Sequence, residues 1–125
     1  MSQKFNPVNW FEVPVNDFEK AKSFYETILS VELDVNEMGP NKMGWFPMDM
    51  EAMGSAGTIV KGEGYVPSPN GTVVYFHVNS IEDTLKKINA NGGKTLVPKT
   101  SIGEHGFTAH FEDCEGNRVA LHSIS

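Results

Sequence analysis

Val13-Pro14-Val15-Asn16-Asp17-Phe18-Glu19 and Val78-Asn79-Ser80-Ile81-Glu82 decide the fold of this chain. When position 15 is laid on position 78, the residue types agree one after another: Val with Val, Asn with Asn, Asp with Ser, Phe with Ile, Glu with Glu. Each copy ends a strand pattern and opens a helix pattern, and a repeated unit fixes architecture more firmly than any single motif. From Asp17 to Ser30, Phe18, Ala21, Phe24, Tyr25, Ile28 and Leu29 recur at helical spacing. Asn16 and Glu19 stand at capping-box spacing there, so Asn16 is expected to cap the helix. The second helix opens at Ser80, with Asp83 three residues on and Ile81, Leu85 and Ile88 along one stripe. Asn91-Gly92-Gly93 ends it, because Gly tolerates the left-handed backbone that closes many helices.

Strand patterns flank both helices. Asn9 to Val15 precedes the first, and Leu33 to Glu37, Gly44 to Met48 and Thr58 to Lys61 follow it. Thr72 to Val78 precedes the second, and Lys94 to Pro98, Phe107 to Glu112 and Arg118 to Ser123 follow. Asp113-Cys114-Glu115-Gly116 is a polar turn that makes the last two strands a hairpin. Pro14 offers no amide to a ladder, which predicts an edge or a bulge. The expected class is α+β: two βαβββ modules in one chain, forming a curved mixed sheet around a central pocket. Module one covers about residues 6–65, a linker 66–71, and module two 72–125, a single domain over 1–125. Neither half buries enough surface alone, so the two should pack as one unit.

The bulk numbers narrow the function classes. The chain has 125 residues, and its hydrophobic and charged contents of 39% and 21% are those of an ordinary globular protein. A net charge of −6 disfavours nucleic acid, whose phosphates need a basic face, and suits a cationic or neutral ligand. No apolar run approaches the roughly 18 residues of a membrane span. The opening Met1-Ser2-Gln3-Lys4-Phe5-Asn6-Pro7 has no apolar leader stretch, so a cytoplasmic location is expected. Cys114 is the single cysteine, which leaves no internal disulfide and no multi-cysteine metal site.

Val13-Pro14-Val15-Asn16-Asp17 with Ala21 and Phe24-Tyr25-Glu26, and the ending Asp113-Cys114-Glu115-Gly116-Asn117-Arg118, resemble the vicinal oxygen chelate superfamily. That superfamily contains glyoxalase I, the fosfomycin- and bleomycin-resistance proteins and the extradiol dioxygenases. Cys114 stands where the family usually has Pro. Phe11-Glu12-Val13-Pro14-Val15 and Ile102-Gly103-Glu104-His105-Gly106-Phe107 look like a little-characterised glyoxalase-related branch. The resemblance covers essentially the whole chain and speaks for the fold; the superfamily hosts many chemistries.

The resemblance also implies where an ion would sit. Metal-dependent members hold it with His, Gln or Glu at one position in each of four inner strands. In this chain those positions fall on Trp10, Val73, Ala120 and, at the end of module one, around Ile59. An indole N–H donates and does not ligate, and apolar side chains supply no donor atom. No metal and no other cofactor is therefore expected, and the ion-dependent chemistry of the family is not transferred.

Strand alternation selects the residues that line the pocket instead. With Trp10 facing in, Glu12 and Pro14 follow; Val73, Tyr75 and His77 match them in the second copy. Arg118, Ala120 and His122 come from the last strand, and Thr108 and His110 from the one before. Those last two match substrate-touching positions of the fosfomycin-resistance proteins. Lys61 shares the face of Ile59. Trp10, Tyr75, His77, Thr108, His122 and Lys61 are the candidate ligand-binding residues. Glu12 and His110 are the candidate catalytic pair, since imidazole near pH 7 donates, accepts or shuttles a proton. Bland alternatives stand beside these: Glu12 paired with Arg118 or Lys61, His77 and His122 satisfied at strand ends, and Trp10 as core packing. His105 sits at the pocket mouth or serves a solvated turn. Met38, Met43, Met48, Met50 and Met53 are core filling, a pliable pocket wall or a subunit interface.

Three functions follow. The first is a small-molecule binding protein on the glyoxalase-like fold without the family's metal ligands. The second is a metal-independent lyase or isomerase acting on a small carbonyl compound through Glu12 and His110. The third is a metal lyase with displaced ligands. A small-molecule partner is expected in each, with no nucleic acid and no membrane, and the resemblance adds a homodimer.

Overall fold

A computed structural model of the chain describes residues 6–125; Met1 to Phe5, most of the stretch read for a leader, lie outside the described residues. Module one runs β1 (Trp10–Pro14), α1 (Phe18–Leu29), β2 (Asp34–Met38), β3 (Asn41–Trp45) and β4 (Ala56–Lys61). Module two repeats the order as β5 (Tyr75–His77), α2 (Ile81–Ala90), β6 (Lys94–Ser101), β7 (Phe107–Glu112) and β8 (Arg118–Ser123), with a 3-10 turn at Gly103–His105. The expected α+β pair of βαβββ modules is present, built on two four-stranded mixed sheets of order β1-β4-β3-β2 and β5-β8-β7-β6. In each, the first strand runs parallel to the last and the others pair antiparallel. No ladder joins the sheets among the described residues. β1 is an edge strand, as Pro14 requires.

Local chemistry explains each element. Asp17, not Asn16, caps α1: its carboxylate accepts the Lys20 amide at 3.2 Å, while the Asn16 amide is turned toward Glu115. Ser30 closes α1 in the left-handed conformation (φ 55°), with its amide on the Glu26 carbonyl. Ser80 caps α2 by accepting from Asp83, and Gly92 (φ 95°) follows its end. β3 begins at Asn41 rather than Gly44, because Gly39 (φ 63°) and Pro40 make a tight hairpin that pairs Met38 with Asn41. β6 continues past Pro98 to Ser101, with register shifts on either side of Val97 that accommodate the missing amide. β5 is shorter than its apolar pattern, three residues against the seven expected, although the Val74 carbonyl still accepts the Ala120 amide at 2.9 Å.

One core draws on both modules. Phe18, Phe24, Tyr25 and Ile28 of α1 and Ile81 and Ile88 of α2 pack with Val13 and Ile59 of one sheet and with Ala109, Phe111, Val119 and Leu121 of the other. Burying each large apolar side chain contributes about 1.5–3 kcal/mol. Phe24 and Phe111 lie 6.4 Å apart across the modules, and Tyr25 contacts both Phe46 and Phe76. Gly44 lets α1 approach β4: a Cβ there would stand 3.1 Å from Ile59 Cγ1 and 3.3 Å from Phe18 Cζ. No helix among the described residues is long and apolar enough to cross a membrane.

Candidate functional site

Strand register sorts the expected site residues, all but Lys61, onto one side of each sheet. In module two, Tyr75 pairs with Ala120, His77 with His122, Thr108 with His122, and His110 with Ala120. Tyr75, His77, Thr108, His110, Arg118 and His122 therefore share one face. Their alternates Phe76, Ala109, Phe111, Val119 and Leu121 pack toward the helices. The shared face points away from the core and is accessible; Tyr75 is 51% exposed.

His110 organises that face. Arg118 Nε donates to His110 Nδ1 at 3.2 Å, and His110 Nε2 lies 3.2 Å from the Tyr75 hydroxyl. An arginine only donates, so Nδ1 is the acceptor and the neutral ring carries its proton on Nε2. That proton points at the Tyr75 oxygen, which leaves the Tyr75 O–H free to donate outward. Partial burial and the neighbouring Arg118 charge both lower the His110 pKa, which keeps the ring neutral at pH 7. Beside it, His122 Nε2 is 2.7 Å from the His105 carbonyl, and the His77 and His122 rings are 5.7 Å apart. The His105 side chain itself is exposed.

In module one, Trp10, Glu12 and Pro14 share a face with Thr58 and Val60 of β4 and Met43 and Trp45 of β3. Trp10 meets Trp45 edge-on at 5.4 Å, and Trp45 Nε1 is buried without a hydrogen-bond partner. Glu12 makes no ion pair with a described residue; its carboxylate lies by the Tyr65 phenol and raises that group's pKa. No hydrogen bond links Glu12 to His110, whose two nitrogens are already engaged.

Lys61 is a correction. It shares the face of Ile59, and Ile59 is in the core beneath α1, so Lys61 is on the opposite side of β4 from Trp10 and Glu12. The residue in register with Glu12 is Thr58, as Ala120 is with Tyr75. The fourth implied ion position therefore shifts from around Ile59 to Thr58, whose hydroxyl is buried at 3.0 Å from the Gly44 carbonyl and 2.6 Å from that of Ile59. Among the described residues, no three His, Cys, Asp or Glu side chains come together as an ion-holding group.

Two cavities lie along the seam between the modules. The larger, about 770 Å³, opens between the β5 edge, the start of β4 and the facing parts of α1 and α2. Phe11, Phe46 and Phe76 line it, with Asn79, Ser80 and Met53 at its margin. Of the expected ligand-binding residues, Tyr75 and His77 also border this cavity, whereas Phe11, Phe46 and Phe76 are not among those expected. The smaller, about 110 Å³, has Glu12 and Arg118 on its wall at the other end of the seam. There the Asp113–Asn117 turn fills the space: Asn117 Nδ2 donates to the Pro14 carbonyl at 2.8 Å, and its Oδ1 accepts the Ser68 amide at 2.9 Å. Within that turn the Cys114 thiol is pushed up to about 12, by burial first and by the Asp113 and Glu115 charges next, so it is no nucleophile.

The sequence profile of the Glyoxalase/Bleomycin resistance protein/Dioxygenase superfamily matches residues 7–121. The chain belongs to that superfamily. Within the superfamily it is 28% identical over 118 residues to a glyoxylase-like domain-containing protein of Didymella fabae, covering 91% of each chain. The fosfomycin resistance protein FosX of Listeria monocytogenes superposes with a TM-score of 0.68 at 17% identity, over 98% of this chain and 94% of that one. A glyoxalase I mutant of Zea mays superposes at 0.70 with 18% identity; this superfamily member covers 94% of itself and spans about half, 47%, of the maize chain. These likenesses establish the fold.

Proposed function

We propose that this superfamily member binds a small neutral molecule carrying an acceptor oxygen, such as a carbonyl compound, on the face of module two, without the ion used by metal-dependent relatives. The observation that carries the reading is the directed chain Arg118 to His110 to Tyr75, which ends in an outward O–H. A donor polarised by two preceding hydrogen bonds is a strong partner for a carbonyl oxygen. Thr108 and His122 flank it and add further polar groups that fix orientation. At the implied ion positions, Trp10 and Thr58 turn donors or a committed hydroxyl toward the site, and Val73 and Ala120 supply none, which does not suit an ion.

Binding is favoured over lyase or isomerase chemistry because Glu12 lies by the Tyr65 phenol and makes no hydrogen bond to His110, whose ring nitrogens are taken by Arg118 and Tyr75. A homodimer is part of the same proposal: the exposed Tyr75 face is suited to cover by a second copy, and sedimentation analysis reads the mass directly. The test of function is calorimetric titration of EDTA-treated protein with a panel of small aldehydes, ketones and carboxylic esters. Saturable binding that survives EDTA and falls about tenfold in Tyr75→Phe supports the reading, as expected for one lost hydrogen bond. One stoichiometric ion in the purified protein, with binding abolished by its removal, overturns it.

A further inference from the structure

The internal repeat extends into a loop that motif reading passes over. In module two, the Glu115 amide donates to Asp113 Oδ1 at 2.8 Å and the Gly116 amide to the Asp113 carbonyl at 3.1 Å. In module one, the Glu51 amide donates to Asp49 Oδ1 at 2.9 Å and the Ala52 amide to the Asp49 carbonyl at 3.1 Å. Asp49-Met50-Glu51 and Asp113-Cys114-Glu115 are one turn, used twice, each just before the last strand of its module.

The two turns end differently. Glu115 Oε1 accepts the amides of Asn16 and Asp17, the latter at 3.1 Å, and so seals module two onto the start of α1. The repeat equivalents of Asn16 and Asp17 are Asn79 and Ser80, and both border the 770 Å³ cavity. Glu51 is exposed and reaches neither. Four residues, Ala52-Met53-Gly54-Ser55, separate Glu51 from β4, whereas only Gly116 and Asn117 separate Glu115 from β8. The longer connection stands off and leaves Met48, Met50 and Met53 at 54%, 86% and 96% exposure, with Met53 bordering the aromatic hollow. Exposed thioethers next to apolar walls gain by covering them.

We propose that the seam cavity is a second ligand site, for a flat neutral aromatic molecule, and that loop 47–55 closes over it with Glu51 accepting the Asn79 and Ser80 amides. The Phe11, Phe46 and Phe76 rings, already 5.3 to 5.6 Å from one another in edge and tilted contacts, supply the walls. The methionines supply the roof. The volume suits a molecule of two or three fused or linked rings. At the rim, Asp83 and Lys87 offset each other in charge, which favours a neutral ligand over an ionic one.

The probe is N-phenyl-1-naphthylamine, a neutral two-ring fluorophore that brightens in apolar surroundings. Wild-type protein is expected to bind it saturably, one per chain. Ser55→Trp fills the cavity mouth from an exposed position and should weaken binding about tenfold. Pro47→Trp, at the other end of the loop and also exposed, repeats the test if Ser55→Trp does not fold. Glu51→Gln should speed dissociation in stopped flow by about tenfold while leaving the thermal midpoint unchanged. Tyr75 and His77 border both this cavity and the module two face, so the control is Thr108→Val, on that face but off the cavity wall, which should bind the probe like the parent. No saturable binding, parent-like binding by both tryptophan variants, or loss of binding in Thr108→Val overturns the site. Unchanged dissociation in Glu51→Gln overturns the closing loop.

Discussion

The Tyr25 hydroxyl donates a 2.6 Å hydrogen bond to Asp113 Oδ2, joining the middle of α1 to the turn between β7 and β8. Both groups are buried, and Asp113 also accepts the Glu115 and Asn117 amides and the Asn117 side-chain amide. Burial and the Asp113 carboxylate push the Tyr25 phenol well above its ordinary pKa, so it remains a donor at any working pH. Tyr25→Phe should cost about 1–3 kcal/mol, since a buried carboxylate then loses one of its donors. Urea unfolding checks this, with an unchanged slope and a lower midpoint as the expected signature.

His110 should titrate below 6.5. Its folded pKa is lowered by partial burial and by Arg118, so the unfolded chain takes up a proton first as pH falls. The stabilising contribution is complete above 6.5 and is lost as pH descends through the lowered folded value. NMR titration of the ring reads the value, and Arg118→Ala should move it upward. A ring that titrates above 6.5 contradicts the neutral tautomer on which the Tyr75 donor depends.

Gly44→Ala should destabilise the protein by about 1–3 kcal/mol, because the added methyl meets Ile59 and Phe18 in a packed core. Thermal melting detects the loss. Ile59→Val in the same background should recover part of it by removing a methyl group from the crowded side.

Cys114 should resist alkylation. With its thiol pushed up to about 12, almost no thiolate exists at pH 8, and iodoacetamide labelling of folded protein should be slow. Labelling in 8 M urea serves as the fast reference, and equal rates in the two states are the result that contradicts the assignment.

Much of the architecture was legible because it is written in repeated local signals. The Val-Asn-Asp/Ser-Phe/Ile-Glu match placed both helices, and Asp113 to Gly116 placed the last hairpin. Alternation correctly grouped Tyr75, His77, Thr108, His110, Arg118 and His122 on one face, since that grouping depends only on strand period. It failed for Lys61, whose face depends on the register of β4 against β1, a long-range quantity that spacing does not encode. Asn16 and Asp17 are both good caps, and the choice between them is made by Glu115, a residue about a hundred positions away. The seam cavity was touched only through Tyr75 and His77, which border it, because a hollow is a property of how two modules meet.

The paired turns at Asp49 and Asp113 have parted company in what substitution can do to them. Glu115 and Asn117 hold the halves of the molecule to each other, so change there is felt as lost stability. Glu51 and the methionines around it carry no such duty, and that stretch is free to vary in length and composition at little structural penalty. Duplication of one module thus left this protein with a copy that must stay fixed and a copy open to evolutionary experiment.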